Sequence, residues 1–166
     1  RGNRLAIITI SGGAGILMTD EIVARGMQMA QLAPDTVAKL KEFVPSFGSV
    51  GNPVDVTGQF VSDPNLLLDS MRIMMSDPQV HVGIVWLQLM DAHIDRLVDI
   101  FAKIKNLITK SWVVCWVAAP EAALAKMRAQ GIAVLRGAAE GRRPRGDRGA
   151  RWTAPPPRRD APCSQG

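Results

Sequence analysis

The chain has 166 residues, 47% hydrophobic and 21% charged, with 20 Lys and Arg against 15 Asp and Glu for a formal charge of +5. This excludes wholesale disorder, and the length suits one domain of roughly 130–150 residues with its own core. The excess charge is local: residues 1–140 carry 13 basic and 13 acidic side chains, whereas residues 141–166 carry seven Arg and two Asp.

A neutral body gives no reason to expect a nucleic-acid partner. No apolar run reaches the roughly 18–20 residues of a membrane span, so no membrane partner is expected either. Cys115 and Cys163 stand in no metal or redox spacing, which predicts no metal site and a reducing, cytoplasmic setting. The opening RGNR is polar and has no signal-peptide apolar region behind it, and the chain reads as a piece of something longer.

Leu5–Ile10 is a continuous β-rich apolar run, as in a strand buried on both faces of a parallel sheet. The glycine turn SGGAG follows, then a helix from Ile16 to Arg25 that Gly26 stops. Met27–Leu32 reads as a short second strand. Pro34 opens a helix with Val37, Leu40, Phe43 and Val44 on one face, and Pro45 closes it. Glycines and Pro53 interrupt any periodicity over Ser46–Val61, which is expected to be an ordered, functional loop.

Asp63 and Pro64 form an N-cap and first helical position ahead of Leu67, Leu68, Met71 and Met74, and Asp77–Pro78 ends that helix. Val82–Leu89 is the next strand. Ile94, Leu97, Phe101, Ile104 and Ile108 then lie at helical spacing. Trp112–Val117 is a strand, Pro120 opens a helix through Arg128, and Ile132–Leu135 is a fifth strand after Gly131. Alternation of this kind predicts an α/β layered domain with a mainly parallel five-stranded sheet.

The expected domain covers 1–136, with a separate tail over 137–166. From residue 141 the tail has no Leu, Ile, Val, Met or Phe, and all its basic residues are Arg. Such a composition predicts disorder. It also matches GC-rich codons read out of frame, and a covering helix is missing after the last strand. A native disordered tail and a nucleic-acid arm are the other readings.

Two motifs carry the candidate chemistry. Ser11, Gly12, Gly13, Ala14 and Gly15 lie between the first strand and its helix, where free backbone N–H groups and the helix dipole favour an anion such as phosphate. The spacing fits neither a dinucleotide fingerprint nor a Walker loop nor a nucleophile elbow. A tight turn that permits helix–sheet packing is the competing reading. The second motif holds Asn52, Pro53, Asp55 and Gly58, whose polar side chains can brace an irregular loop near the carboxyl ends of the strands. A purely structural loop competes with it.

His81 and His93 are assigned neither metal nor phosphoryl chemistry. Cys115 is expected to be a packed, inert thiol, Trp86, Trp112 and Trp116 to be core residues of their strands, and Met71, Met74 and Met75 to be helix core. Asp91, Asp95 and Asp99 form a solvated helix face. No residue is assigned as catalytic.

RLAIITISGGAGILMTDEI, SVGNPVDVTG, SDPQVHVGIVWL and GIAVLR together resemble the flavodoxin-like domain of the nucleoside-diphosphate-forming acyl-CoA synthetases. These are acetate–CoA ligase type enzymes related to succinyl-CoA synthetase, including versions fused to acetyltransferases. The resemblance runs from about Arg4 to Arg136 and implies a three-layer α/β/α, flavodoxin-like, succinyl-CoA synthetase-like domain. Family members often carry Pro where this chain has Ala14, a change a helix start tolerates.

In such enzymes a loop histidine carries a phosphoryl group between an acyl phosphate and ADP. By resemblance, Ser11 to Gly15 form a helix N-terminus that receives the phosphohistidine. The Ser-His-Thr-Gly motif that carries that histidine does not occur here, nor does a CoA-binding Rossmann or ATP-grasp sequence. The resemblance therefore implies an accessory domain, inactive as a ligase alone, with no cofactor of its own. CoA, ADP or ATP and Mg would belong to the complete enzyme. Its partners would be the CoA-binding, phosphohistidine-bearing and ATP-grasp domains of the same enzyme or of partner subunits. A non-catalytic anion-binding or regulatory module is the alternative.

Overall fold

A computed structural model describes residues 2–136 of the chain; the tail, and every expectation placed on 137–166, lies outside the described residues. Strand β1 (Arg4–Thr9) leads into helix α1 (Gly12–Ala24), β2 (Gln28–Met29), α2 (Pro34–Phe43), β3 (Val54–Asp55) and α3 (Pro64–Ser76). Then follow β4 (Val82–Gln88), α4 (Ile94–Leu107), β5 (Ser111–Val117), α5 (Glu121–Ala129) and β6 (Val134–Leu135). The sheet path is β2-β1-β4-β5-β6, with β3 added on β1, and every named pairing is parallel.

The expected α/β alternation is present, with two local differences. Helix α1 begins at Gly12 rather than Ile16, because Gly15 N–H already reaches Ser11 O at 3.1 Å and closes a helical turn through the glycines. The loop expected over Ser46–Val61 contains β3 and a 3-10 turn, Thr57–Val61. Strand β3 joins β1 where β2 has left it: Arg4 and Leu5 pair with β2, whereas Ile8 and Thr9 pair with β3.

The Asn52 side chain spans the gap between these pairings. Its Oδ1 accepts from Ile7 N–H at 2.9 Å, and its Nδ2 donates to Leu5 O at 2.8 Å and Ala30 O at 2.9 Å. One amide thus does the work of a strand residue on β1.

The two sheet faces are covered unequally. Helices α2, α3, α4 and α5 pack on one, around Ala6, Ile8, Val85, Leu87, Val114 and Trp116. The Met71, Met74 and Met75 cluster belongs to this core, as expected. On the other face Ile22 and Met18 of α1 pack on Leu5, Ile7, Val82 and Ile84. Among the described residues, no helix is long and apolar enough to cross a membrane.

The other singled-out residues separate by face. Trp116 is fully buried, whereas Trp86, Trp112 and Cys115 are only half-buried. The expectation of a packed Cys115 is corrected to that extent: its strand position faces the side where, among the described residues, α1 is the one covering helix. Asp91, Asp95 and Asp99 are exposed. His81 precedes β4, and its Nδ1 accepts from Arg4 N–H at 3.2 Å while Nε2 lies 3.0 Å from the Arg4 guanidinium.

Candidate functional site

The site is built at the carboxyl end of β1. Buried Thr9 fixes the turn, since its Oγ1 accepts from Ser11 N–H at 3.0 Å and donates to Ser11 O at 2.9 Å. Ser11 is the N-cap residue of α1 in an extended conformation, and its side chain makes no capping bond. The N–H groups of Gly12, Gly13 and Ala14 precede the first i to i−4 bond, so the helix does not use them. Gly12 and Gly13 are exposed and Ala14 is partly so. Unused donors on an open helix start are what an anion needs.

The glycines have different duties. A Cβ on Gly15 would stand 3.0 Å from Pro53 Cβ and 3.3 Å from Thr9 Cγ2, so Gly15 allows α1 to close onto the Pro53 loop. This is the packing role. Nothing lies within 4 Å of a Cβ on Gly13, and its φ is not in the left-handed region. Neither packing nor backbone conformation requires Gly13 to be glycine.

The second motif meets the first through two of its four residues. Pro53 packs under Gly15, and Asp55 Oδ2 would lie 3.3 Å from a Cβ on Gly12. Asp55 is held by β3 pairing to Thr9 and accepts Thr57 N–H on Oδ1 at 2.8 Å, which supports Thr57 at φ 57°. Asn52 is spent inside the sheet. Gly58 is exposed with open space around it, and its Cβ position meets neither motif.

Asp55 sets the electrostatics. Helix α1 has no acidic residue in its first turn, so the nearest carboxylate comes from this loop. Two unit negative charges about 5 Å apart repel by about 3 kcal/mol at an effective dielectric of 20. A helix terminus offers roughly 0.3–1 kcal/mol at the surface, and a charge-assisted hydrogen bond about 1.5–3 kcal/mol. One dipole therefore loses to Asp55, while two or three N–H bonds offset it. On this arithmetic only an anion that reached several N–H groups at once would offset Asp55.

Residues missed from the sequence are Thr9, whose hydroxyl holds the turn, and the positions Leu89 and Ala118. The latter two have φ of 53° and 56° and end β4 and β5 at the same sheet edge. Because neither Leu89 nor Ala118 is glycine, no sequence signal marks their conformations. Among the described residues, no group of three or more His, Cys, Asp or Glu could hold a metal ion.

With that geometry in place, the comparison with known proteins is decisive for the family. A family model for the Ligase-CoA domain matches residues 5–104, which include both motifs. This chain belongs to the Ligase-CoA domain family.

The chain is 35% identical over 82 residues to the alpha subunit of acetate–CoA ligase (ADP-forming) II of Pyrococcus furiosus, covering 49% of this chain and 18% of that protein. It is 33% identical over 82 residues to acetate–CoA ligase (ADP-forming) I of Archaeoglobus fulgidus, covering 49% and 12%. The matches thus span less than a fifth of these relatives.

Among solved structures, a Pyrococcus horikoshii protein aligns with TM-score 0.68 and 25% identity over 82% of this chain and 33% of its own. The dinucleotide forming acetyl-coenzyme A synthetase 1 of Ca. Korarchaeum cryptofilum, solved with phosphate and ADP, aligns with TM-score 0.62 and 26% identity over 81% and 30%. The Ligase-CoA domain has the expected flavodoxin-like α/β architecture.

Proposed function

We propose that this Ligase-CoA domain serves an ADP-forming acyl-CoA synthetase of the acetate–CoA ligase type, where the N-terminus of α1 receives the phosphoryl group of a phosphohistidine. The overall reaction converts acyl-CoA, ADP and phosphate to carboxylate, ATP and CoA. Phosphate displaces CoA from the acyl group, histidine takes the phosphoryl group and releases the carboxylate, and ADP takes it from histidine. The histidine and the CoA and ATP-grasp sites belong to other domains or subunits. Magnesium would accompany the nucleotide there, and the cytoplasm is the setting where these substrates occur.

Within this chain the work is electrostatic. Gly12, Gly13 and Ala14 donate N–H groups to the phosphoryl oxygens, Thr9 fixes the turn that aims them, and the Gly15–Pro53 contact holds the helix start rigid. Donors that are already oriented stabilise developing charge without reorganising. The observation that carries the reading is Gly13, a glycine that packing does not require at an uncapped helix start.

The test is Gly13→Glu in the complete synthetase. Loss of histidine phosphorylation with unchanged folding is expected, because the new carboxylate occupies the anion's place. Full phosphorylation in the folded variant overturns the reading and leaves a non-catalytic module. The purified chain alone is expected not to turn over ATP, acetate and CoA.

A further inference from the structure

The sheet reverses its direction of growth between β1 and β4. From β1 the chain moves to β2 and β3 on one side, and from β4 it moves to β5 and β6 on the other. In open parallel sheets the crevice at the carboxyl ends of two such strands is where ligands bind. The α1 N-terminus is one wall of that crevice, and the loop from Leu89 to His93 is the other. Thr9 is in register with Trp86, and each chain runs three residues further to reach Gly12 and Leu89. Neighbouring strands lie about 4.8 Å apart, so the two loops stand side by side.

Leu89 breaks the pattern of its own strand. Gly83, Val85 and Leu87 alternate on one face and are buried, and simple continuation would bury Leu89 with them. Instead Leu89 takes φ 53° and is 79% exposed among the described residues, while the next residue, Met90, packs against the core. The His93 N–H closes the turn behind it on Met90 O at 3.0 Å. Glycine adopts a positive φ without steric cost, and leucine does not. Thr57 and Ala118 share the conformation, but Asp55 holds Thr57 through its N–H, and Ala118 ends β5, one strand further from α1. Leu89 is thus the converse of Gly13: a bulky apolar side chain where glycine would sit more easily. Residues in sparsely populated conformations cluster at functional sites.

Resting on the function given above, we propose that the imidazole of the phosphohistidine packs on Leu89 while its phosphoryl oxygens take the N–H groups of Gly12, Gly13 and Ala14. The two parts of that group make different demands. The oxygens need donors, which the helix start supplies, whereas a histidine ring has an apolar body that suits an alkyl side chain. Leu89 also keeps water from the P–N bond, whose hydrolysis would discharge the phosphoryl group unproductively.

Histidine labelling from ATP in the complete synthetase, at saturating nucleotide, tests this with Leu89→Asn, Leu89→Gly and Leu89→Met. Asparagine and glycine both accept a positive φ, so the loop keeps its shape and the apolar contact alone is lost. Each slows labelling at least about tenfold, the worth of burying a leucine side chain, whereas Leu89→Met stays within about threefold of wild type. Leu89→Gly does not lower the urea midpoint of the chain, so slower labelling is not a loss of folding. A contact with the acyl chain would leave labelling from ATP unchanged, and a contact with the nucleotide would raise only the ATP concentration required; either result overturns the proposal. So does a methionine variant as slow as the asparagine one. Gly13→Glu in parallel separates the two readings. If it blocks labelling while the Leu89 variants label normally, the proposed function stands and the leucine contact falls; if it labels fully, both fall.

Discussion

The Asn52 side-chain oxygen accepts the backbone N–H of Ile7 at 2.9 Å, tying the loop that carries Pro53 and Asp55 to the middle of the first strand. The same amide donates to Leu5 O and Ala30 O. Asn52→Ala takes this partner from Ile7 N–H and Ala30 O, while Leu5 O keeps Ala30 N–H at 2.7 Å, and each buried group left unpaired costs roughly 1–3 kcal/mol. A loss of about 3 kcal/mol in urea unfolding is expected. Asn52→Asp, which keeps the acceptor but loses both donated bonds, should also destabilise the chain. A change below about 0.5 kcal/mol in the alanine variant would mean that water replaces the amide, and the brace would have no weight.

The two glycines of the turn should separate on substitution. Gly15→Ala forces a methyl to 3.0 Å from Pro53 Cβ, and overpacking of this kind costs about 1–3 kcal/mol. Gly13→Ala meets open space in a helical position and should be neutral or stabilising by up to about 1 kcal/mol. Thermal unfolding of both variants checks this. If they shifted alike, the glycines would not have distinct duties.

These distinctions show what was legible in the sequence. The alternation of apolar strands and capped helices is a local signal, and it yielded the α/β order and the glycine turn at its helix start. Strand β3 was hidden because Gly51, Pro53 and Gly58 break the periodicity and because Asn52 substitutes a side chain for backbone pairing. Only the fold could reveal that Pro53 sits under Gly15 and that Asp55 faces Gly12, since these are contacts between residues about 40 apart in sequence. The unequal cover of the two faces among the described residues was equally hidden. Trp86, Cys115 and Val117 lie in runs as apolar as any fully buried strand, and hydrophobicity does not tell which face carries fewer helices.

Asp55 should weaken anion binding at the helix start. Asp55→Asn keeps an oxygen for Thr57 N–H and removes the charge beside Gly12. If the carboxylate repels a bound anion by about 3 kcal/mol, affinity for inorganic phosphate rises by up to about a hundredfold; screening by salt reduces this. Phosphate titration followed by amide NMR shifts of Gly12, Gly13 and Ala14 is the measurement. Unchanged affinity at low salt would place the anion elsewhere.

The stability of the chain in acid should depend on Asp77. This residue is 1% exposed, and burial by itself raises its pKa. Hydrogen bonds from Ala33 N–H at 2.7 Å and Gln79 N–H at 2.8 Å, with Thr36 and the Lys110 charge, outweigh burial and hold the carboxyl below its ordinary value of 3.8. A depressed carboxylate contributes stability that is complete above the unfolded-state pKa and is lost as pH falls through the lower folded-state value. Wild-type chain should therefore lose stability below about pH 4, while Asp77→Asn starts less stable at pH 7 and changes less over that interval. Parallel urea unfolding of the two at pH 7 and pH 3 reads the difference. Equal pH dependence would show that Asp77 titrates as it does in the unfolded chain, and that its bonds to the α2 N-terminus hold the neutral acid equally well.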